Sequence, residues 1–465
     1  MNVLFALYFC TQIRKWEKEM NKKMENDLTK GNVAKQLIRY AVPLVMTSFM
    51  QSLYSLVDIL IAGNFIGSTG ISAINNSSQV ILLITKIAVG ITQGGNIMIG
   101  QYFGASDEKR KKDAVGTLTM LSVLLGILSM ATFFVGAEWI LIKLKAPALE
   151  EAVTYLKICA IGLGFVWLYN ALSGILRAMG NSKMPMQCIM VSTCVNIVLD
   201  IVFVAFFSMG TKGAALATVI SQGVSCIVVL IFLLRHKESF AFTKDSMGMK
   251  AHEIKMIFRL GIPSAIQMTI AGISWLFVTY LINQYGVDVS AGNGVSIKIK
   301  DICQLFLSAM SLAASTMVAQ NLGAKKYDRV MAVVNTAIGI SLVMAVATIV
   351  ICQLFAPVMV GFFTQNEAAA AAASLNLRIE IFGQIFYAIF MIYNALSIGA
   401  GQSEFAMFNS FMNCIVVRMA LCYAFNKIWG VTGIYIACMV ATSISVPIGW
   451  WYAKSNRWKR NLLIK

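Results

Sequence analysis

Gly100-Gln101-Tyr102-Phe103-Gly104-Ala105 in the first half of the chain returns in the second half as Ala319-Gln320-Asn321-Leu322-Gly323-Ala324. Pro43 with Pro263, Gly67 with Gly286, Gly180 with Gly401 and Gly213 with Gly433 keep nearly the same spacing, each in an apolar setting. The chain therefore consists of two homologous halves. With 58% hydrophobic residues, 13% charged ones and a mean hydropathy of +0.73, it lacks the polar surface of a soluble protein. A duplicated apolar chain of this kind reads as an integral membrane protein. Duplicated membrane proteins are commonly transporters with a site between or within the repeats.

A helix needs about 20 apolar residues to cross the hydrocarbon. Twelve such stretches start near Leu37, Ile71, Val115, Glu150, Met184, Gly213, Ile254, Val289, Val330, Ala372, Glu404 and Gly433. The sequence thus predicts an all-α membrane protein of twelve transmembrane helices in two six-helix lobes. A net charge of +17 would suggest nucleic acid in a soluble protein, but here the placement of the charge decides its meaning. Lys109-Arg110-Lys111-Lys112, Lys325-Lys326 and Arg457 to Arg460 fall on one side of the spans, whereas the opposite connections hold only Lys143, Lys145, Lys212, Arg378 and Lys427. The positive-inside rule then places both termini in the cytoplasm and accounts for the charge without nucleic acid. Six spans per half make the halves parallel, related by a pseudo-twofold axis along the membrane normal.

The expected divisions are a cytoplasmic segment 1–34, an N-lobe 35–235, a cytoplasmic inter-lobe linker 236–253, a C-lobe 254–453 and a basic cytoplasmic tail 454–465. The linker, which holds His236 and His252, reads as a polar connection long enough to let the lobes move. Near the N-terminus, Phe5 to Cys10 is too short to span, and its charges follow it rather than precede it. That excludes a signal peptide and a membrane helix. Translation beginning at Met24 is the favoured reading of this segment, and a basic interfacial helix is the other.

Chemistry is expected where charge survives inside hydrocarbon, since an ionised carboxylate at mid-span costs ~2.5–3.5 kcal/mol even on lenient insertion scales. Asp58 lies deep in the first span, with Gln51 and Tyr54 on its helical face. Asp200 lies in the fifth span, with Asn196 one turn earlier. Two carboxylates and an amide carbonyl offer oxygen ligands to a small hard cation, or a pair sharing a proton. The second half has Val278 or a neighbour, and Leu421, at the corresponding positions. Asp301, directly after Lys298-Ile299-Lys300, reads as self-neutralised and near a cavity, and Asn170 as a polar group lining that cavity. Arg378 and Glu380 read as a surface pair at the outer end of the tenth span, and Arg418 as an unpaired cation in the eleventh. The chain has no His-Glu-x-x-His and no Gly-x-x-x-x-Gly-Lys phosphate loop, so neither a metallo-enzyme nor a nucleotide-driven pump is indicated.

Leu37 to Pro43, Gln51-x-x-Tyr54-x-x-x-Asp58, Gly63 and Gly67, Gly100-Gln-x-x-Gly104-Ala105, Arg177-Ala-Met-Gly180-Asn-Ser182 and Asn196-x-x-x-Asp200, in this order, resemble the multidrug and toxic compound extrusion (MATE) family. The resemblance covers nearly the whole chain. It implies a V-shaped efflux antiporter, not an enzyme, that needs no cofactor and expels organic cations or amphipathic drugs in exchange for Na+ or H+. A monomer in the bacterial cytoplasmic (inner) membrane is expected. In the DinF-like prokaryotic branch the cation site is in the N-lobe, which carries over here to Asp58, Asn196, Asp200 and Thr218; these are the metal ligands if the ion is Na+. Gln51 and Tyr54 match positions beside that site. The NorM-like branch places acidic residues in the seventh and tenth spans, and this chain has no Asp or Glu between Gly261 and Gly286. Ion and cationic drug would then compete for the same carboxylates. The rival from the same superfamily is a lipid-linked saccharide flippase, for which a strongly cationic cavity is expected.

Overall fold

The computed structural model describes residues 26–460. The expected reading of Met1 to Lys23 lies outside the described residues. Among these, the chain is helical with no strand. The first half folds as α1 Val33–Phe65, α2 Gly67–Gly104, α3 Glu108–Lys143, α4 Leu149–Ala178, α5 Lys183–Asp200 and α6 Gly210–Arg235. The second half begins with α7 Ala251–Asn283, α8 Val287–Gly323 and α9 Tyr327–Gly361, followed by α10 Glu367–Glu380 and its continuation α11 Gln384–Gly399. It closes with α12 Ser403–Phe411, α13 Met419–Ala441 and α14 Ser445–Lys454.

Among the described residues, eleven stretches are long and apolar enough to cross a membrane, and the last of them, Ser403–Lys454, has 52 residues. At ~1.5 Å per residue a single helix of that length would run roughly 78 Å, against a hydrocarbon core of ~30 Å. Gly430 divides it with a backbone (φ 61°, ψ −143°) that no helix contains and that only glycine adopts readily. Six crossings in each half result. Equivalent turns repeat their glycines at positive φ, Gly67 with Gly286 and Gly180 with Gly401.

Large apolar side chains such as Leu128, Val135, Leu276, Val343 and Phe362 are exposed around the helices. Their transfer to lipid, not burial in protein, stabilises those faces. The lobes meet through α1 against α8 and α2 against α7. Along the second contact, a β-carbon on Gly94 would stand 2.5 Å from the Ile257 carbonyl oxygen, and one on Gly261 would stand 2.6 Å from Ile91 Cα. Small residues allow this backbone approach, and dispersion and close packing hold helices together where lipid supplies no hydrophobic force.

The connection between the lobes is not free along its length. Phe240, Ala241 and Phe242 are buried with Phe232 and Leu233 in the N-lobe core, each Phe contributing roughly 1.5–3 kcal/mol by burial. Further on, the Thr117 hydroxyl donates to the Gly248 carbonyl (3.1 Å) and accepts from the Lys250 amide (3.1 Å). The expected flexible linker is thus docked on α3, because its polar composition conceals a short aromatic anchor.

Candidate functional site

Two features stand out inside the helices: a polar cluster in the first half and a cavity reaching into the second.

The cluster forms where α1, α5 and α6 meet. Asp200 is the last residue of α5, which passes directly into a π-helical turn, Ile201–Phe206. Such turns widen a helix locally and often mark functional positions. Asp200 is fully buried and Asn196 nearly so. Among the described residues, neither Asp200 carboxylate oxygen and neither Asn196 amide atom has a partner at full hydrogen-bond geometry, although the Asn196 amide lies close enough to act on the Asp200 carboxylate. Asp58 on α1 is half-buried and lies within electrostatic range of Asp200, Tyr54, Tyr155 and Cys159. The Tyr54 and Thr218 hydroxyls are hydrogen-bonded at 3.1 Å, joining α1 to α6. A second tie, from the Ser192 hydroxyl to the Ser221 carbonyl at 2.8 Å, fixes α5 against α6. An unpaired buried polar group costs about 1–3 kcal/mol, and a charged one more, so these four atoms, three oxygens and one nitrogen, form a candidate cation or proton site. Tyr155 and Cys159, on α4, were not singled out in the sequence because neither carries charge in an apolar run.

The cavity, about 510 Å³, opens between α2, α4, α7, α8 and the spans of α10 to α13. Asn170 lines it, as do Gln93 and Asn96. Gly174 leaves the room that Asn96 fills, since a β-carbon there would stand 2.1 Å from its amide. Gln51 is exposed, and neither it nor Tyr54 is among the lining residues.

Two expectations change. Asp301 is exposed and does not line the cavity; Lys300, next to it, turns inward instead. Lys300 Nζ pairs with Glu380 and lies 3.5 Å from Asn376 Oδ1, all buried. Successive residues on a helix point about 100° apart, so when Lys300 turns in, Asp301 turns out. Glu380 is accordingly no surface partner of Arg378: it lines the cavity, while Arg378 is exposed. Among the described residues, the charged groups lining the cavity are therefore Arg177, Lys300 and Arg418 against the carboxylate of Glu380.

At the end carrying the Lys/Arg-rich connections, the two copies of the opening motif meet. Gln101 Nε2 donates to the Gly399 carbonyl at 2.8 Å, and Gln320 Nε2 donates to the Ala178 carbonyl at 2.7 Å, the same bond made twice across the pseudo-twofold axis. Gly104 packs on the Gln320 carbonyl and Gly323 on the Gln101 carbonyl so closely that a β-carbon on either would stand 2.0 Å from the oxygen. Residues ahead of α1 strap this end. The Asn26 amide reaches the Met179 carbonyl at 3.3 Å, the Leu28 amide reaches Gln320 Oε1 at 3.0 Å, and Arg329 reaches the Gly31 carbonyl at 2.7 Å.

The MatE family model matches residues 43–202 and 263–424, one copy in each half. The chain is 27% identical to the probable multidrug resistance protein YpnP of Bacillus subtilis, over 93% of this chain and 97% of that one. To the multidrug export protein MepA of Staphylococcus saprophyticus it is 22% identical, over 89% and 92%. It also superposes on a MATE family multidrug resistance transporter of the MOP superfamily solved in an outward-facing conformation. That match has a TM-score of 0.88 at 21% identity and covers 94% of this chain and 98% of that one, which establishes a common fold.

Proposed function

Because the chain belongs to the MatE family and is a transporter rather than an enzyme, we propose that it is a secondary active efflux antiporter. It expels amphipathic small molecules in exchange for inward Na+ or H+. The relatives' names, multidrug resistance and multidrug export proteins, supply drugs as the substrate class. The observation that carries the coupling is the unsatisfied set at Asp200 and Asn196 beside Asp58.

In the proposed cycle, Na+ or a proton entering this site neutralises charge that α1 and α5 otherwise hold unmatched. Asp58, Asn196, Asp200 and Thr218 supply the oxygens for Na+, or the two aspartates hold the proton. Since Tyr54 of α1 bonds to Thr218, occupancy bears on how α1 sits against α6, and α1 packs on α8 of the other lobe. That chain of contacts links ion binding to the angle between the lobes. An inward charge contributes ~2.3 kcal/mol per 100 mV of membrane potential. In this reading the strapped end, which carries the Lys/Arg-rich connections, faces the cytoplasm of a bacterium, in keeping with the positive-inside rule, and the closed end faces inward.

The test is efflux from proteoliposomes, with ethidium and an anionic dye of similar size as cargo, driven separately by a Na+ and a pH gradient. One gradient is expected to drive efflux, and Asp58→Asn to reduce it at least tenfold. Gradient-driven efflux that survives in the variant would remove the N-lobe site from coupling. One observation favours a second reading: Arg177, Lys300 and Arg418 outnumber Glu380 in the cavity, the cationic lining expected of a lipid-linked saccharide flippase. Failure of both gradients to move either dye would favour it.

A further inference from the structure

Arg418 ends a second π-helical turn, Met412–Arg418, in the span of the C-lobe that corresponds to the span of Asp200 in the N-lobe. One half thus carries an acid in this span and the other a base. Arg418 is only 7% exposed, lines the cavity, and makes no ion pair or hydrogen bond with any described residue; its Nε is buried without a partner. Its one close interaction is with the Trp275 ring, 5.1 Å from the centroid. Lys300 lies over the same ring at 5.2 Å, but its charge is matched by Glu380. Glu380 engages Lys300 through Oε2, its Oε1 has no hydrogen-bond partner, and no described carboxylate is within ion-pair distance of the Arg418 guanidinium, so the two cations Lys300 and Arg418 share one carboxylate's charge.

A guanidinium held inside a membrane protein is costly unless something matches it. Its planar fork suits the two oxygens of a carboxylate, sulfonate or phosphate. We propose that this cavity takes an amphipathic substrate bearing an anionic group, with the anion on Arg418 and the apolar body against Trp275 and the neighbouring wall. The excess of cations in the lining disfavours an organic cation at the same place, contrary to the expectation from the sequence. The proposal rests on reading the cavity as the substrate path. Its test uses binding, so that a failure of ion coupling at Asp58 and Asp200 is not confused with it.

The full chain in zwitterionic nanodiscs is titrated by calorimetry with 2-naphthylacetate, with (2-naphthylmethyl)trimethylammonium and with farnesyl diphosphate. At least one anion is expected to bind roughly tenfold or more tightly than the ammonium. Arg418→Met is expected to abolish that preference and Arg418→Lys to keep part of it. Tight naphthylacetate binding identifies a free amphipathic anion as the source, and binding of farnesyl diphosphate alone identifies a lipid headgroup. The proposal is overturned if the ammonium binds as tightly as the anions, if none of the three binds, or if monodisperse Arg418→Met keeps the preference. Should that variant not fold, the order of affinities in the wild-type protein decides.

Discussion

Asp200 and Lys300 are both charges set in apolar helices, yet their side chains face opposite circumstances. Lys300 is matched by Glu380, 80 residues further on, while both oxygens of Asp200 are unmatched. Asp58 and Asp200 were legible because a carboxylate in an apolar run costs too much to be incidental. The Lys300–Glu380 pair was not, since nothing in the local sequence says which of the adjacent Lys300 and Asp301 turns inward; a partner on another span decides that. At the strap, burial opposes the charge of Asp27, but hydrogen bonds from the Thr29 hydroxyl and amide and from Lys30 outweigh it and hold the carboxyl below its ordinary value of 3.8. A depressed value means that the strap's contribution is fully present above pH 3.8 and is lost as pH falls through the lower folded value. Hydrogen exchange at the Thr29 amide should accordingly show constant protection down to about pH 4 and a loss below it, beyond the exchange of a loop control. The same loss in Asp27→Asn would contradict this.

At the scale of the elements, the close crossing of α2 and α8 follows from the repeat itself. Gly104 and Gly323 are each required because a backbone carbonyl of the other copy occupies the space of a β-carbon. The repeat was plain in the sequence; that its two copies touch was not, because only the pseudo-twofold arrangement brings equivalent ends together. The two spans expected to start near Glu404 and Gly433 run as one helical stretch, Ser403–Lys454, which the Gly430 backbone divides. Overpacking at such a contact costs about 1–3 kcal/mol, enough to shift a two-state equilibrium roughly tenfold. Gly104→Val should therefore open the strapped end, read as a longer and broader spin-label distance between the ends of α2 and α8. An unchanged distance distribution would show that the crossing does not hold this end closed.

For the whole molecule, the lobes touch firmly at one end, through Gln101, Gln320 and the strap, and enclose the cavity beyond it. The polar cluster lies in the N-lobe and Arg418 in the C-lobe, so in the proposed scheme ion and substrate occupy different lobes. That scheme has coupling run through the contacts between lobes, where the sequence led to an expectation of competition for the same carboxylates. The expectation of competition came from counting acids in the N-lobe; the cavity's charge is set by residues of several spans whose orientations the sequence does not give.

The central claim is that an inward cation at Asp58 and Asp200 drives export, and countertransport tests it most directly. Proteoliposomes at zero gradient receive a pulse of transported dye on one side, while 22Na+ entry and internal pH are followed. The account predicts cation movement opposite to the dye in the wild-type protein and its loss in Asp200→Asn, with dye binding retained. Dye transport without counter-movement of either ion, or counter-movement undiminished in Asp200→Asn, would contradict it.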